Sequence, residues 1–205
     1  MRTLFGLSVL LFTACGADHT APRAPESPST TLPTAMNDST HPANQRLEKA
    51  TFGAGCFWGV EQVFRQVPGV VDAAVGYTGG TTPNPSYRQV CTHATGHAEV
   101  VEVTFDPQRV TYERLIDIFF KIHDPTTLNR QGPDVGDQYR SVIFCHSDEQ
   151  RKVAESMKEK AVKSGRYKNP IVTFIEPAPI FWRAEEYHQR YFEKNGGPSC
   201  HVLPE

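Results

Sequence analysis

The order in which the apolar period switches along the chain is its tightest constraint on fold. Lys49 to Gly53 reads as a short strand, and Phe57 to Val67 places Val60, Val63, Phe64 and Val67 on one helical face. Val70 to Tyr77 is strand-like, and Ala98 to Phe105 alternates with the period of two that a half-buried strand requires. Tyr112 to His123 repeats Leu115, Ile118, Phe119 and Ile122 at helical spacing, and Ser141 to Cys145 returns to a strand. The resulting order, β-α-β-β-α-β, is the ferredoxin-like split βαβ unit. It predicts an α+β fold, a two-layer α/β sandwich with helices on one side of a mixed sheet.

More chain follows this unit. Ser147, with Gln150 three residues on, has the form of a capping box that opens a third helix, closed near Gly165. Ile171 to Glu176 is a strand candidate, and Ala184 to Lys194 reads as a helix stopped by Gly196-Gly197. Residues 47–195 are thus expected to form one domain, and residues 196–205 a flexible tail that carries Cys200.

The N-terminal residues have a different character. Met1-Arg2, the apolar run Leu4 to Phe12 and Thr13-Ala14-Cys15 have the charged, apolar and small-residue regions of an export signal over residues 1–15. The run is too short to span a bilayer. Phe12-Thr13-Ala14-Cys15-Gly16 resembles a bacterial lipobox, which implies a lipid on Cys15, with an ordinary signal peptide cleaved nearby as the alternative. Residues 16–46 are rich in Pro, Thr, Ser and Ala and lack the large apolar residues of a core, so they read as a disordered tether. The expectation is an exported lipoprotein, membrane-anchored and facing the periplasm or cell exterior. The net charge of −2 comes from 21 basic and 23 acidic residues without a block of either sign, which argues against nucleic-acid binding.

In an oxidising compartment each remaining cysteine has to be weighed as half of a structural disulfide, and Cys56, Cys91, Cys145 and Cys200 allow three full pairings. Cys56 stands apart. Gly53-Ala54-Gly55-Cys56-Phe57-Trp58-Gly59 lies between the first strand and the first helix, which places the thiol in the opening turn, where unpaired N–H groups favour an anion. The thiolate is the nucleophilic form of cysteine. Glu99 shares strand parity with Val101, Val103 and Phe105, so it points inward unless the strand end lets it reach solvent. An inward carboxyl is disfavoured as an anion and suits a general acid.

Gly55-Cys56-Phe57-Trp58-Gly59, together with Gly96-His97-Ala98-Glu99, resembles the A-type peptide methionine sulfoxide reductases. The likeness runs from about Lys49 to about Glu193, through Gly76-Tyr77-Thr78-Gly79-Gly80, Gly132-Pro133-Asp134-Val135-Gly136, Tyr139-Arg140-Ser141 and Tyr187-His188-Gln189. It implies a cofactor-free, thioredoxin-dependent oxidoreductase acting on the S epimer of methionine sulfoxide, free or in proteins. Cys56 would be the nucleophile and Glu99 the acid. The resemblance further implies that Phe57 and Trp58 wall an apolar pocket for the S-methyl group, and that Tyr87, Asp134 and Tyr139 supply hydrogen bonding around the sulfoxide oxygen. Each also has an ordinary reading, as core, amphipathic surface or turn residue.

Cys200, on a Gly-Pro-Ser arm, is the candidate resolving cysteine, although Gly-Pro-Ser-Cys departs from the Gly-Tyr-Cys-Gly tail of many members. Cys91 and Cys145 are expected to be buried thiols. His93 and His97 lack the further ligands of a metal site, and no metal is expected. The chain is expected to act as a monomer. A thiol peroxidase or disulfide oxidoreductase would also need an activated cysteine, but the chain has no Cys-x-x-Cys. A ligand-binding surface lipoprotein with an aromatic groove near Trp58 is the reading from another class.

Overall fold

The computed structural model describes residues 46–197 together with Ser199, His201, Val202 and Pro204. Cys15, the tether up to residue 45 and Cys200 lie outside the described residues. The first half runs β1 (Glu48–Ala54), α1 (Phe57–Arg65), β2 (Val70–Thr78), α2 (Tyr87–Val90), β3 (Ala98–Phe105) and α3 (Tyr112–Ile122). Next come β4 (Arg130–Gln131), β5 (Asp134–Val135), a 3-10 turn at Asp137–Tyr139, β6 (Ser141–Cys145), α4 (Asp148–Lys163), β7 (Phe174–Pro177), β8 (Trp182–Arg183) and α5 (Tyr191–Asn195).

The main sheet has the order β7-β6-β1-β3-β2-β8, and β4 pairs with β5 as a separate hairpin. Neighbouring strands among its four central ones pair antiparallel, which is the pairing the split βαβ order requires, and β7 joins β6 in parallel. The sheet is therefore mixed, as expected. Side-chain parity then divides its two faces. Ala50, Phe52 and Ala54 of β1, Ala73, Val75 and Tyr77 of β2, and Val101, Val103 and Phe105 of β3 are buried in one core with Val60, Val63 and Phe64 of α1 and Leu115, Ile118 and Phe119 of α3. Phe52 lies at its centre, stacked on Phe64 at 5.0 Å and Phe119 at 5.3 Å between ring centroids. Burying a side chain of this size contributes about 1.5–3 kcal/mol. The opposite face holds a smaller cluster of Ala98, Val100, Val142 and Phe144, packed by Ala178 and Phe181.

The caps follow the sequence in part. Thr111 Oγ1 accepts the Arg114 N–H, and Ser147 Oγ accepts that of Gln150, each satisfying a donor that a helix start leaves unpaired. The Gln150 side chain does not turn back to Ser147, however. Its Oε1 accepts the His146 N–H and its Nε2 donates to the Lys49 carbonyl, so it ties α4 to β1.

Three readings need correction. The strand expected over Ile171 to Glu176 begins only at Phe174, because the Val172 N–H donates to the Pro125 carbonyl and not to the sheet. The helix expected over Ala184 to Lys194 is helical only at Tyr191–Asn195. Before it the chain makes turns held from outside. The Gln189 amide accepts the Val75 N–H and donates to the Val75 and Ala184 carbonyls, and Arg190 takes a left-handed conformation with φ 53° while Glu61 accepts its N–H. Cys91, expected to be buried, is exposed, since the single turn of α2 directs Val90 inward and leaves the thiol outside.

A buried polar chain crosses the structure from α3 to β6. His123 Nδ1–H donates to the Phe119 carbonyl at 2.7 Å, so Nε2 accepts the Ser141 hydroxyl at 2.7 Å, and Ser141 Oγ in turn accepts from Thr173 at 2.8 Å. Burial pushes the His123 imidazolium down to about 4, against the opposing pull of the Phe119 carbonyl. The unfolded chain takes up this proton near pH 6.5 and the folded chain only near 4. The contribution of neutral His123 is therefore complete above pH 6.5 and is lost as the pH falls through that window, about 2 kcal/mol by pH 5. Carboxyls with raised values act in the opposite direction, so the test is a difference. The gap in urea-unfolding free energy between the native chain and His123→Gln should narrow by about 2 kcal/mol from pH 7.5 to pH 5. An unchanged gap would show that His123 is not held neutral.

Candidate active site

Cys56 is the N-cap of α1, half-buried, at the point where β1 turns into the helix. The turn depends on Gly55, whose φ of +94° suits glycine alone and whose missing Cβ would sit 2.6 Å from Gln131 Cγ of the β4–β5 hairpin. The hairpin is thus packed directly on the cysteine turn. The first helical N–H of α1, that of Phe57, donates to Glu99 Oε2 at 3.3 Å.

Glu99 points inward, as its parity required, and is 2% exposed. Register places it opposite Tyr77 of β2. Burial pushes its carboxyl up to about 8, the Phe57 N–H pulls it down, and the negative charge of Asp134 raises it further. A carboxyl in this state holds its proton at neutral pH.

Tyr87 and Tyr139 complete the ring around this group. Burial raises both phenols well above the ordinary tyrosine value. The charge of Glu99 adds to the shift at each, and for Tyr139 the charges of Asp134 and Cys56 add as well. Cys56, Glu99, Tyr87, Asp134 and Tyr139, which come from five different parts of the sequence, therefore share one electrostatic neighbourhood.

The aromatic pair after the cysteine divides its work. Phe57 is fully buried against Tyr77 at 5.8 Å and His188 at 5.2 Å, whereas Trp58 is half-buried, stacked on Tyr191 at 3.7 Å with the rings 8° apart. Trp58 Nε1–H donates to His188 Nδ1 at 3.0 Å, which leaves the imidazole proton on Nε2. Among the described residues Nε2 has no hydrogen-bond partner, and burial lowers the affinity of the ring for a second proton. His188 also meets the Tyr87 ring edge-on at 4.5 Å. Behind these rings, the Glu185 carboxylate accepts the Tyr87 N–H at 2.9 Å and the Tyr77 hydroxyl at 3.0 Å, joining α2 to β2.

Periodicity gives no signal for Glu185, His188 or Tyr191 as members of the site, because the segment that carries them reads as an ordinary amphipathic helix. Ser86 and Gln89 do form a capping box, and that signal marks the short helix of Tyr87. The two histidines weighed as a metal pair are committed elsewhere. His97 accepts the Gly80 N–H at Nδ1 and donates to the Thr82 carbonyl from Nε2, while His93 lies 3.4 Å from Asp137. His93 has φ +60°, the left-handed conformation for which glycine is the usual residue. Cys145 is buried at the end of β6, and burial raises its thiol. In the tail, His201 is buried and its Nε2–H donates to the Ala54 carbonyl at 3.1 Å, two residues before Cys56.

Comparison with known proteins agrees with this geometry. Residues 48–205 match the family model described as peptide methionine sulfoxide reductase. The peptide methionine sulfoxide reductase MsrA of Methanoculleus marisnigri is 63% identical over 157 residues, which cover 77% of this chain and 96% of that protein. Among solved structures, Mxr1 from Saccharomyces cerevisiae in reduced form superposes with a TM-score of 0.72 at 44% identity, covering 78% of this chain and 93% of that one. The structure of the same yeast protein in complex with Trx2 gives a TM-score of 0.54 at 30% identity, covering 82% and 97%. With the family model, the relatives and the fold in agreement, this chain belongs to the peptide methionine sulfoxide reductases of the A type.

Proposed function

We propose that the chain reduces methionine-S-sulfoxide, free or in proteins, by attack of Cys56 on the sulfoxide sulfur with Glu99 as the proton donor. The observation that carries this reading is the Phe57 N–H donated to Glu99, which sets a protonated carboxyl one residue from the nucleophile. The Cys56 thiolate forms an S–S bond to the sulfoxide sulfur, and Glu99 gives its proton to the oxygen. The oxygen then passes to Cys56, leaving methionine and a sulfenic acid. Phe57 and Trp58 supply the apolar wall for the methyl group, and the raised phenols of Tyr87 and Tyr139 remain protonated donors for the oxygen. The Cys200 thiol then condenses with the sulfenic acid to a disulfide and water, and a dithiol donor of the thioredoxin type reduces that disulfide. The complex of the yeast relative with Trx2 supports this class of donor.

The reading extends to location. Met1 to Cys15 has the regions of an export signal with a lipobox-like end, and residues 16–46 have the composition of a tether. The domain then repairs oxidised methionine in exported proteins while it is held at a membrane by lipid on Cys15. None of the helices among the described residues is long and apolar enough to cross a membrane.

Three outcomes are expected. Cys56→Ser should keep the fold by circular dichroism and release no methionine from the sulfoxide; retained turnover would exclude Cys56 as nucleophile. Glu99→Gln should slow single-turnover reduction by about 10²–10⁴-fold, the usual range for a general acid. Because Glu99 acts in its protonated form, the native rate should hold up to about pH 8 and fall above it. A rate that rises through pH 8, or a glutamine variant with native speed, assigns the proton to another group. Finally, the full chain expressed in a bacterium should fractionate with membranes and Cys15→Ser should not; native protein recovered soluble with an unmodified N-terminus overturns the anchor.

A further inference from the structure

His93 is held in a conformation that its residue type disfavours. Its φ is +60°, in the left-handed region where a Cβ crowds the following carbonyl oxygen and glycine is the usual occupant. Its contact with a charged group returns little stability, because the side chain is half exposed and Nδ1 stands 3.4 Å from Asp137 Oδ1. A disfavoured backbone kept beside reacting groups points to function, and the neighbours of His93 say which function. The His93 N–H donates to the Val90 carbonyl at 3.0 Å, which fixes the residue to the end of α2. Its imidazole crosses to the 3-10 turn that carries Tyr139. A Cβ on Gly136 would lie 2.4 Å from His93 Cε1 and 2.7 Å from Nδ1, so the ring rests against the Gly136 backbone. The Gly136 carbonyl accepts the Tyr139 N–H at 3.1 Å and so closes the turn. Gln138 crowds the same glycine. It is 2% exposed, and its Oε1 lies 2.5 Å from that Cβ position without a hydrogen-bond partner among the described residues, so this oxygen secures nothing. Arg140 holds the exit of the turn, donating to the Asp137 and Gly96 carbonyls at 3.0 and 3.1 Å. At the entry, the Gly136 N–H donates to the Asn129 carbonyl at 2.9 Å, and the His93 ring bears on the same residue.

We infer that His93 is a positioning residue for Tyr139: its ring braces Gly136 and so fixes the turn that directs the Tyr139 hydroxyl to the sulfoxide oxygen. The inference rests on the proposed role of Tyr139 as a donor to that oxygen. A 3-10 turn of three residues is too short to hold its geometry alone, and a phenol carried on it moves with its backbone. The left-handed φ belongs to the same device. With an ordinary φ the Cα–Cβ bond of His93 would point elsewhere, so the strain is the cost of aiming the ring at Gly136. His93 thereby joins the two phenols of the site, since it is bonded to the helix that opens with Tyr87 and packs on the turn that ends with Tyr139.

Two phenols share the oxygen in the proposed site, so the test is made in the full chain carrying Tyr87→Phe, where Tyr139 is the phenol that remains. In that parent, His93→Gly should slow single-turnover reduction of methionine sulfoxide about tenfold, since misplacing a group by about 1 Å can cost up to about 10²-fold. Its thermal unfolding midpoint should not fall, because glycine relieves the left-handed strain and the surface pair that is lost contributes little. A residue with a merely structural role would lose stability and rate together. His93→Asn tolerates the left-handed backbone but lacks the ring, and it should be as slow, which excludes loosening of the chain by glycine as the cause. When Tyr139→Phe is added to the parent, His93→Gly should have no further effect, as a double-mutant cycle requires of two residues that act through one another. A parental rate in His93→Gly or His93→Asn, a lowered midpoint in His93→Gly, or an equal slowing with the Tyr139 hydroxyl removed overturns the brace. The readings are separable. If adding Tyr139→Phe to the parent costs no rate, the donor role of Tyr139 fails and the brace with it; if it does cost rate while His93→Gly is silent, only the brace fails.

Discussion

One hydrogen bond holds the two halves of the site together, that from the Phe57 N–H to the Glu99 carboxyl. On one side is the first turn of α1 with the Cys56 thiol at its cap. On the other is the start of β3, a central strand of the sheet. A helix start leaves N–H groups without intrahelical partners, and a carboxyl buried under a sheet has lost its water. Each supplies what the other lacks. The rest of the structure can be understood as what brings the two together. The antiparallel pairing of β1 with β3 puts the end of one strand beside the start of the other, and Gly55 turns the chain sharply enough for α1 to begin above Glu99.

Around that bond the site is assembled by polar clamps. Glu61, buried on α1, accepts the Arg190 N–H and so fixes the turn that carries His188 under Trp58. Glu185 does the same for Tyr87 and Tyr77, and Gln189 bonds to the backbone of β2. Each clamp fills the hydrogen-bonding capacity of a buried group, so each is satisfied only in the native arrangement. Removing one partner would leave the other unpaired in the interior, which typically costs about 1–3 kcal/mol. The residues around Cys56 and Glu99 are therefore held by bonds between segments distant in sequence more than by the regularity of any one element.

This division explains what the sequence revealed. The split βαβ order, the bounds of β3 and β6 and the inward parity of Glu99 were legible because they depend on local period and on alternation about a sheet. The motif around Cys56 was legible because a glycine turn before a helix is written in consecutive residues. The segment from Ala184 to Gln189 was not. Ala184, Tyr187, His188 and Tyr191 fall at helical spacing, but the chain is bent by bonds to Glu61 and Val75, which lie more than a hundred residues away. The two-residue strand β8 is too short to show a period at all, and the single turn of α2 is too short to show from sequence that Cys91 faces outward.

The bond that organises the fold also bears on the proton that Glu99 is proposed to carry. Two opposing influences act on this carboxyl, burial favouring the acid and the Phe57 N–H favouring the anion. Without the N–H, burial and Asp134 would hold the proton more tightly and make it harder to give away. Without burial, the carboxyl would already be ionised at neutral pH and have no proton to give. A value near 8 lies between these extremes, close to where Brønsted behaviour makes a donor most effective at neutral pH. The N–H is also in place before the reaction starts. As the proton leaves, charge develops on oxygens that already have a donor aimed at them, so little reorganisation is needed at that moment.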